Sequence, residues 1–182
     1  MFDVGGLTVA GIRECSDANV LVDLLCQELT LRIPEELNDD YSALGEFISR
    51  LPVGLRAMAA THRLDVSMAL DSLEEHFANF GASAYVEETR LGLQELELSD
   101  ISVAFEEAYG LFVQNRWIFE NLHGISTGDY TGYDEAVLES VQARLSELSS
   151  LVWGYLKVFP NGSLMDSWAT YAWKYPERVV LS

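Results

Sequence analysis

The longest helical pattern in this chain lies in residues 51–112, which read LPVGLRAMAATHRLDVSMALDSLEEHFANFGASAYVEETRLGLQELELSDISVAFEEAYGLF. In its first half, nine residues recur at steps of three or four, the periodicity of a helix with one buried face. They are Leu51, Leu55, Met58, His62, Val66, Ala69, Leu73, Phe77 and Phe80. Because Asp and Ser favour helix caps, we predict a break near Asp71–Ser72 between two helices. We expect Gly81 to end the second helix in the left-handed conformation, which glycine adopts at little cost.

Shorter patterns on either side of this stretch predict an all-α fold. Residues 7–12 are typical of a short strand, and Ser16 or Asp17 is a suitable cap for a helix to about Arg32. Further helices are predicted for 41–50, 84–96, 99–122, capped by Ser99–Asp100, and 134–159, with an acidic loop at 35–40. In the helix 84–96 we expect Val86, Thr89, Leu93 and Leu96 to face the core and Glu87, Glu88, Gln94 and Glu95 to face solvent. The whole chain is therefore predicted to form six or seven helices packed on one core.

Length and composition predict a single compact domain. The 182 residues are 49% hydrophobic and 11% aromatic, which is enough for a core and too apolar for disorder. We predict one helical domain over 1–182, with its core in 16–160 and a C-terminal aromatic appendage in 161–182. The appendage carries Trp168, Tyr171, Trp173 and Tyr175. Such a cluster either packs the tail onto the domain or forms a binding surface.

The acidic residues are concentrated in the central stretch. Residues 71–107 hold ten acids and one base, Arg90, so this segment has a net charge of −9 within a chain total of −18. A pI near 4.3 argues against direct binding to nucleic acid and against docking on anionic lipid. It favours a basic partner, such as a DNA-binding protein or a basic toxin. Alternatively, the acidic residues form a solvent-exposed face without a partner, or the acidity is an adaptation to salt or for solubility. Net charge bears on solubility and association and does not determine the fold.

Eight carboxylates around two predicted helix junctions are the candidate partner-binding residues. They are Asp71, Glu74, Glu75, Glu87, Glu88, Glu95, Glu97 and Asp100. Carboxylates on one helix face are spaced about 5.4 Å along the helix axis from turn to turn, whereas one DNA strand places a charge about every 3.4 Å along the duplex axis. A single helix is therefore a poor copy of a phosphate strand, but acidic ends of several helices in two rows would be a better one.

The central stretch also resembles a small bacterial all-helical family that includes a DNA mimic protein. The pattern is LP-x-G-L-R-A, L-D, L-x-x-H-F-x-N-x-G, T-x-x-x-L and A-Y-x-L-F. The matching residues are Leu51, Pro52, Gly54, Leu55, Arg56, Ala57, Leu64, Asp65, Leu73, His76, Phe77, Asn79, Gly81, Thr89, Leu93, Ala108, Leu111 and Phe112. The family usually has an Asn-Gly-Gly turn before its aromatic pair, whereas this chain has Asp71–Ser72–Leu73. The resemblance implies an all-helical fold more firmly than it implies DNA mimicry.

Catalytic and metal motifs are weak. Glu120-x-x-His123 has the spacing of half a carboxylate-bridged di-iron site, but no second such motif accompanies it. His62 on the apolar stripe is more typical of a hydrogen-bonded core histidine, and His76 of a structural one. Gly124–Gly132 lacks the lysine of a phosphate loop and is predicted to connect two helices, with Tyr130 and Tyr133 as possible partner contacts. The chain also lacks a nucleophile motif, so we predict neither enzyme activity, nor a cofactor, nor a bound metal.

Targeting signals are lacking too. The first ten residues carry no basic region of a signal peptide, and no uncharged apolar run approaches about 20 residues. Cys15 and Cys26 form no disulfide framework, so we expect a cytoplasmic protein with free thiols.

These observations predict a non-enzymatic acidic interaction protein that binds a basic or DNA-binding protein through its central carboxylates, as a DNA mimic does. The alternative is an immunity or antitoxin-like protein that neutralises one cognate basic toxin. A third class is a hydrolase or metal enzyme built around His62, His76 or His123. The identity of the partner and the oligomeric state, including a homodimer, stay open.

Overall fold

The computed structural model describes residues 7–116 and 135–180, and within these ranges every regular element is helical. There are nine α-helices in this part of the chain: α1 Val9–Glu14, α2 Ala18–Arg32, α3 Tyr41–Ile48, α4 Val53–Leu70, α5 Leu73–Phe80, α6 Ser83–Glu95, α7 Ser99–Gln114, α8 Glu135–Leu156 and α9 Met165–Lys174. Short 3-10 turns occupy Glu35–Leu37 and Pro176–Arg178. The predicted all-α class is confirmed. The number of helices exceeds six or seven because α1 had been predicted as a strand and α9 only as an aromatic segment.

The strand predicted at residues 7–12 is wrong, because Thr8 starts a helix there. Its hydroxyl accepts a hydrogen bond from the Gly11 N–H at 3.0 Å, which satisfies a donor that the first turn leaves unpaired. Ile12 is fully buried by this helix. A short apolar run does not distinguish a strand from a buried helix by its periodicity alone, and here the cap decides.

Helix α4 lies at the centre of the fold and packs against α2, α3, α5, α6, α8 and α9. Eleven of its 18 residues are buried, so its buried surface extends around the helix and is not confined to one stripe opposite a solvent-exposed face. The predicted stripe holds at Leu55 and Met58, fails in the rest of α4, and holds again in α5, where Leu73 and Phe77 are buried. His62 and Val66 are half-buried and Ala69 is exposed, while Leu64 and Met68 are buried in their place.

The crossing of α4 and α6 is unusually close because Gly92 faces Ala57. A Cβ added at Gly92 would lie 2.9 Å from the Ala57 carbonyl oxygen, a distance that real Cβ atoms avoid. One turn away, the Thr89 hydroxyl bonds the Ala60 carbonyl oxygen at 3.0 Å. These pairs show that α4 and α6 run antiparallel, with the end of α6 beside the start of α4.

The predicted break between α4 and α5 is confirmed. Asp71 follows the last residue of α4, and the Ser72 hydroxyl accepts a hydrogen bond from the Glu75 N–H at 3.4 Å. Gly81 ends α5 as predicted, but its φ of −77° is not left-handed. Glycine is needed there for space instead, since an added Cβ would lie 2.2 Å from the Phe77 carbonyl oxygen.

The start of α7 differs from the predicted Ser99–Asp100 cap. Leu98 occupies the cap position and makes no side-chain cap hydrogen bond, while Ser99 and Asp100 already belong to the helix. The residue before Leu98, Glu97, has a φ of +62°, a left-handed conformation that non-glycine residues rarely adopt. This conformation turns the chain sharply between α6 and α7.

Two buried clusters make up the core. The first is formed by α1–α4, α6 and α9, and the second by the end of α4 with α5–α8. Trp168 of α9 is fully buried in the first cluster, and its indole N–H donates to the Thr61 hydroxyl at 3.3 Å. The segment predicted as an appendage therefore contributes Trp168, Ala169, Tyr171 and Ala172 to the interior. None of the described helices is both long enough and apolar enough to span a membrane.

Helix α8, within the helix predicted at 134–159, packs through residues at steps of three or four. Val141, Leu145, Leu148 and Val152 are buried, but Leu156 takes the last inward position instead of Tyr155, which is exposed. Phe119, Leu122 and Asp134, predicted as parts of this helix pair, lie outside the described residues.

Candidate functional site

The first acidic junction, between α4 and α5, projects towards solvent. Asp71 is exposed, whereas Glu74 and Glu75 are half-buried in the first turn of α5. Carboxylates are favourable at this position, because the unpaired N–H groups of a helix start give it a partial positive charge. The location of these three residues agrees with the predicted junction, and Glu74 and Glu75 also stabilise the start of α5, whereas Asp71 follows the C-terminal end of α4.

Glu88 was predicted to face solvent, and the structure corrects this. It is only 7% exposed on the side of α6 that faces α4, where Arg56 forms a two-pronged ion pair with it. Arg56 Nη2 lies 2.8 Å from Glu88 Oε1, and Arg56 Nε bonds the other carboxylate oxygen. A buried carboxylate that is already paired in this way serves the packing of α6 on α4 and is not available to a partner.

Glu87, one residue earlier, is exposed and paired within its own helix. Arg90 donates to both of its carboxylate oxygens at 2.8 and 2.6 Å, and it also lies 3.5 Å from Glu106 of α7. The hydrogen bond from Arg90 holds the pKa of the Glu87 carboxyl below its usual range. The single base of the central segment is therefore shared between two of its acids.

The second junction, between α6 and α7, is tied to the C-terminal helix. Glu95 accepts a hydrogen bond from the Tyr171 hydroxyl and lies 2.9 Å from Arg178. Glu97 is bound by Lys174 at 2.7 Å and by the Tyr175 hydroxyl at 3.0 Å, and these hydrogen bonds lower the pKa of its carboxyl. Sequence reasoning missed these partners because they lie 76 to 83 positions further along the chain.

The two acidic junctions lie at opposite ends of α4 and do not form one continuous face. Gly92 packs beside Ala57 near the start of α4, so Glu95 and Glu97 lie near that end. Asp71 follows the other end, fourteen residues after Ala57 and thus about 21 Å further along the helix axis. Asp100 is exposed in the first turn of α7 and belongs to the Glu97 side.

A third acidic region lies in the turn before α3. Glu35, Glu36 and Asp39 are exposed, and Asp40 caps α3 by accepting a hydrogen bond from the Ala43 N–H at 2.9 Å. Within the described residues no basic side chain forms an ion pair with any of these four acids. The sequence showed this turn as an acidic loop but gave no reason to rank it above the central carboxylates.

His76, one of the histidines considered for catalysis, occupies a structural position. His76 is fully buried, and its Nδ1 lies 3.0 Å from the Ser67 hydroxyl, which itself donates to the Arg63 carbonyl oxygen. The hydroxyl therefore accepts from Nδ1–H, and Nε2 has no hydrogen-bond partner among the described residues. Burial lowers the pKa of His76 to about 3, so the ring stays neutral.

His62 is half-buried beside Trp168, and burial also lowers its pKa. Across the described ranges, no three His, Cys, Asp or Glu side chains converge in a way that could hold a metal ion. Glu120, His123, the loop Gly124–Gly132, Tyr130 and Tyr133 lie outside those ranges.

Comparison of the chain with known protein families, with curated proteins and with solved structures finds no match.

Proposed function

We propose that this is a non-enzymatic acidic protein that binds a basic protein, of the kind that itself binds DNA. The observation that carries the proposal is the uneven use of charge. Seven described basic residues are occupied in ion pairs: Arg13, Arg32, Arg56, Arg90, Arg144, Arg178 and Lys174. Most of the 11 basic residues are therefore paired with acids of the same chain. Because the chain has 29 acidic residues, an excess of carboxylates is left at the surface.

The structure changes which carboxylates are candidates for the interface. Glu88 is buried, and Glu87, Glu95 and Glu97 are each held by a cation of this chain. The α4–α5 junction (Asp71, Glu74 and Glu75) brings three carboxylates of the predicted set together, with Asp71 exposed and Glu74 and Glu75 half-buried in the first turn of α5. An excess of one sign on the surface speeds the approach of an oppositely charged partner, and this gain falls as salt rises.

The test compares two variants of equal net charge. In the junction variant, Asp71→Asn, Glu74→Gln and Glu75→Gln remove three carboxylates at the proposed interface. In the matched control, Glu14→Gln, Asp23→Asn and Glu139→Gln remove three exposed carboxylates from α1, α2 and α8. Binding to an arginine-rich peptide at low salt should weaken about ten-fold or more in the junction variant and much less in the control, since interface charges act at short range.

Equal weakening in both variants would mean that the peptide responds only to total charge, and would contradict a defined interface. A pull-down from native lysate with low-salt and then high-salt washes separates the two function classes. Release of DNA-binding proteins by salt supports the proposal. One salt-resistant partner supports the immunity-type alternative, because a specific and drier interface is screened less.

A further inference from the structure

A cavity of about 530 Å³ opens between α2, α3, α4, α6 and the 35–37 turn. This volume is within the range of small-molecule sites, which are mostly apolar with a few converging polar groups. Its apolar wall consists of Leu29, Ile33, Leu44, Ala59 and Tyr85. The Tyr85 hydroxyl donates a hydrogen bond to the Ala59 carbonyl oxygen at 3.3 Å, so its polar end already has a partner within the wall. The wall therefore suits a hydrocarbon group.

The basic group of the cavity is Arg63. Its side chain is half-buried, and the guanidinium Nη2 donates a hydrogen bond to the Asn38 amide oxygen at 3.2 Å. The other half-buried arginines of the described chain each bind a carboxylate, Arg32 with Glu28, Arg56 with Glu88 and Arg90 with Glu87. Arg63 lacks such an ion pair among the described residues, although the protein is strongly acidic. A desolvated guanidinium with an uncharged partner retains most of its capacity to bind a carboxylate.

The other polar groups of the cavity determine which net charge a bound ligand can carry. Burial lowers the pKa of His62, so near neutral pH its ring is an uncharged hydrogen-bonding group in this cavity. The Thr30 hydroxyl is engaged with the Cys26 carbonyl oxygen at 2.9 Å. Glu35 is exposed at the rim and disfavours a second negative charge. One half-buried cation beside an apolar wall therefore matches a single negative charge attached to an apolar body.

We propose that this cavity binds a small monocarboxylate with an apolar body, whose carboxylate pairs with Arg63 and whose hydrocarbon part lies against Leu29, Ile33 and Leu44. A doubly charged phosphate would leave one charge unbalanced in a half-buried site and would be repelled by Glu35. A cationic amine would be repelled by Arg63. The site is separate from the acidic junctions, and its occupation does not depend on the proposed partner binding.

The probe is octanoate, with octanol and octylammonium as matched neutral and cationic compounds of the same chain length. Isothermal titration of the full-length protein should show octanoate binding at least ten-fold more tightly than either of the others. Arg63→Gln should weaken octanoate binding at least ten-fold and leave octanol unchanged, because the amide retains a polar contact but carries no charge. Arg50→Gln is the control: it removes the same charge from an exposed position that does not line the cavity.

Two further variants keep the proposal testable if Arg63→Gln does not fold. Glu35→Gln removes the repulsive rim charge and should tighten octanoate binding two- to three-fold. Ala59→Met places a longer side chain in the apolar wall and should weaken octanoate and octanol alike. No octanoate binding at millimolar concentration, equal binding of octanol, or an unchanged affinity in Arg63→Gln and Glu35→Gln would each overturn the proposal.

Discussion

At the scale of single residues, burial separates two adjacent glutamates that the sequence treats alike. Glu87 and Glu88 stand side by side, but only Glu88 faces α4 and pairs with Arg56. Glu88→Gln should lower the free energy of unfolding by about 2–4 kcal/mol, since it leaves a partly buried guanidinium without its counter-charge. Glu87→Gln, the control on the exposed side, should cost less than about 1 kcal/mol. Urea unfolding of both variants measures the difference, and equal costs would contradict the structural role of Glu88.

His76 makes stability depend on pH. Its pKa is about 3 in the fold and about 6.5 in the unfolded chain, so below pH 6.5 the unfolded state binds a proton that the folded state does not. Stability is therefore complete above pH 6.5 and falls by up to about 1.4 kcal/mol per unit as the pH drops towards 3. Between pH 7 and pH 4.5 the wild type should lose about 2.5 kcal/mol more than His76→Leu, because the carboxylates of the two proteins titrate alike. Parallel pH profiles of the two proteins would show that His76 is protonated in the fold.

At the scale of helices, α9 is part of the core, although the sequence predicts a core limited to residues 16–160. Trp168 is fully buried, whereas Trp173 in the same helix is 37% exposed. Trp168→Ala should cost about 3–5 kcal/mol and Trp173→Ala much less, because only the first leaves a cavity. A chain that ends after Pro160 should lack cooperative thermal unfolding, since the first buried cluster would lose one wall. Cooperative unfolding of the truncated chain would restore the view of this segment as an appendage.

The sequence predicted the local features of the helices but not the contacts between helices that are distant in the chain. The break at Asp71–Ser72, the Asp17 cap and the inward face of α6 at Val86, Thr89 and Leu93 followed from local caps and periodicity. The ion pairs of Glu88, Glu95 and Glu97 could not follow, because they join residues that only the tertiary fold brings together. Periodicity failed within α4 for a related reason. A helix surrounded by neighbours has no single wet face to mark its orientation.

At the scale of the whole molecule, a net charge of −18 opposes folding through self-repulsion. Raising the salt concentration from about 0.01 to 0.15 M shortens the screening distance from about 30 to 8 Å, so the melting temperature should rise. The ion pairs at Glu87 and Glu97 are exposed and contribute too little to reverse this trend. The control variant, Glu14→Gln, Asp23→Asn and Glu139→Gln, removes three exposed carboxylates and leaves the first turn of α5 intact. It should therefore unfold at a higher temperature than the wild type at low salt, and the two should converge at high salt. A melting temperature that falls with salt would instead mean that attractive pairs outweigh the excess charge.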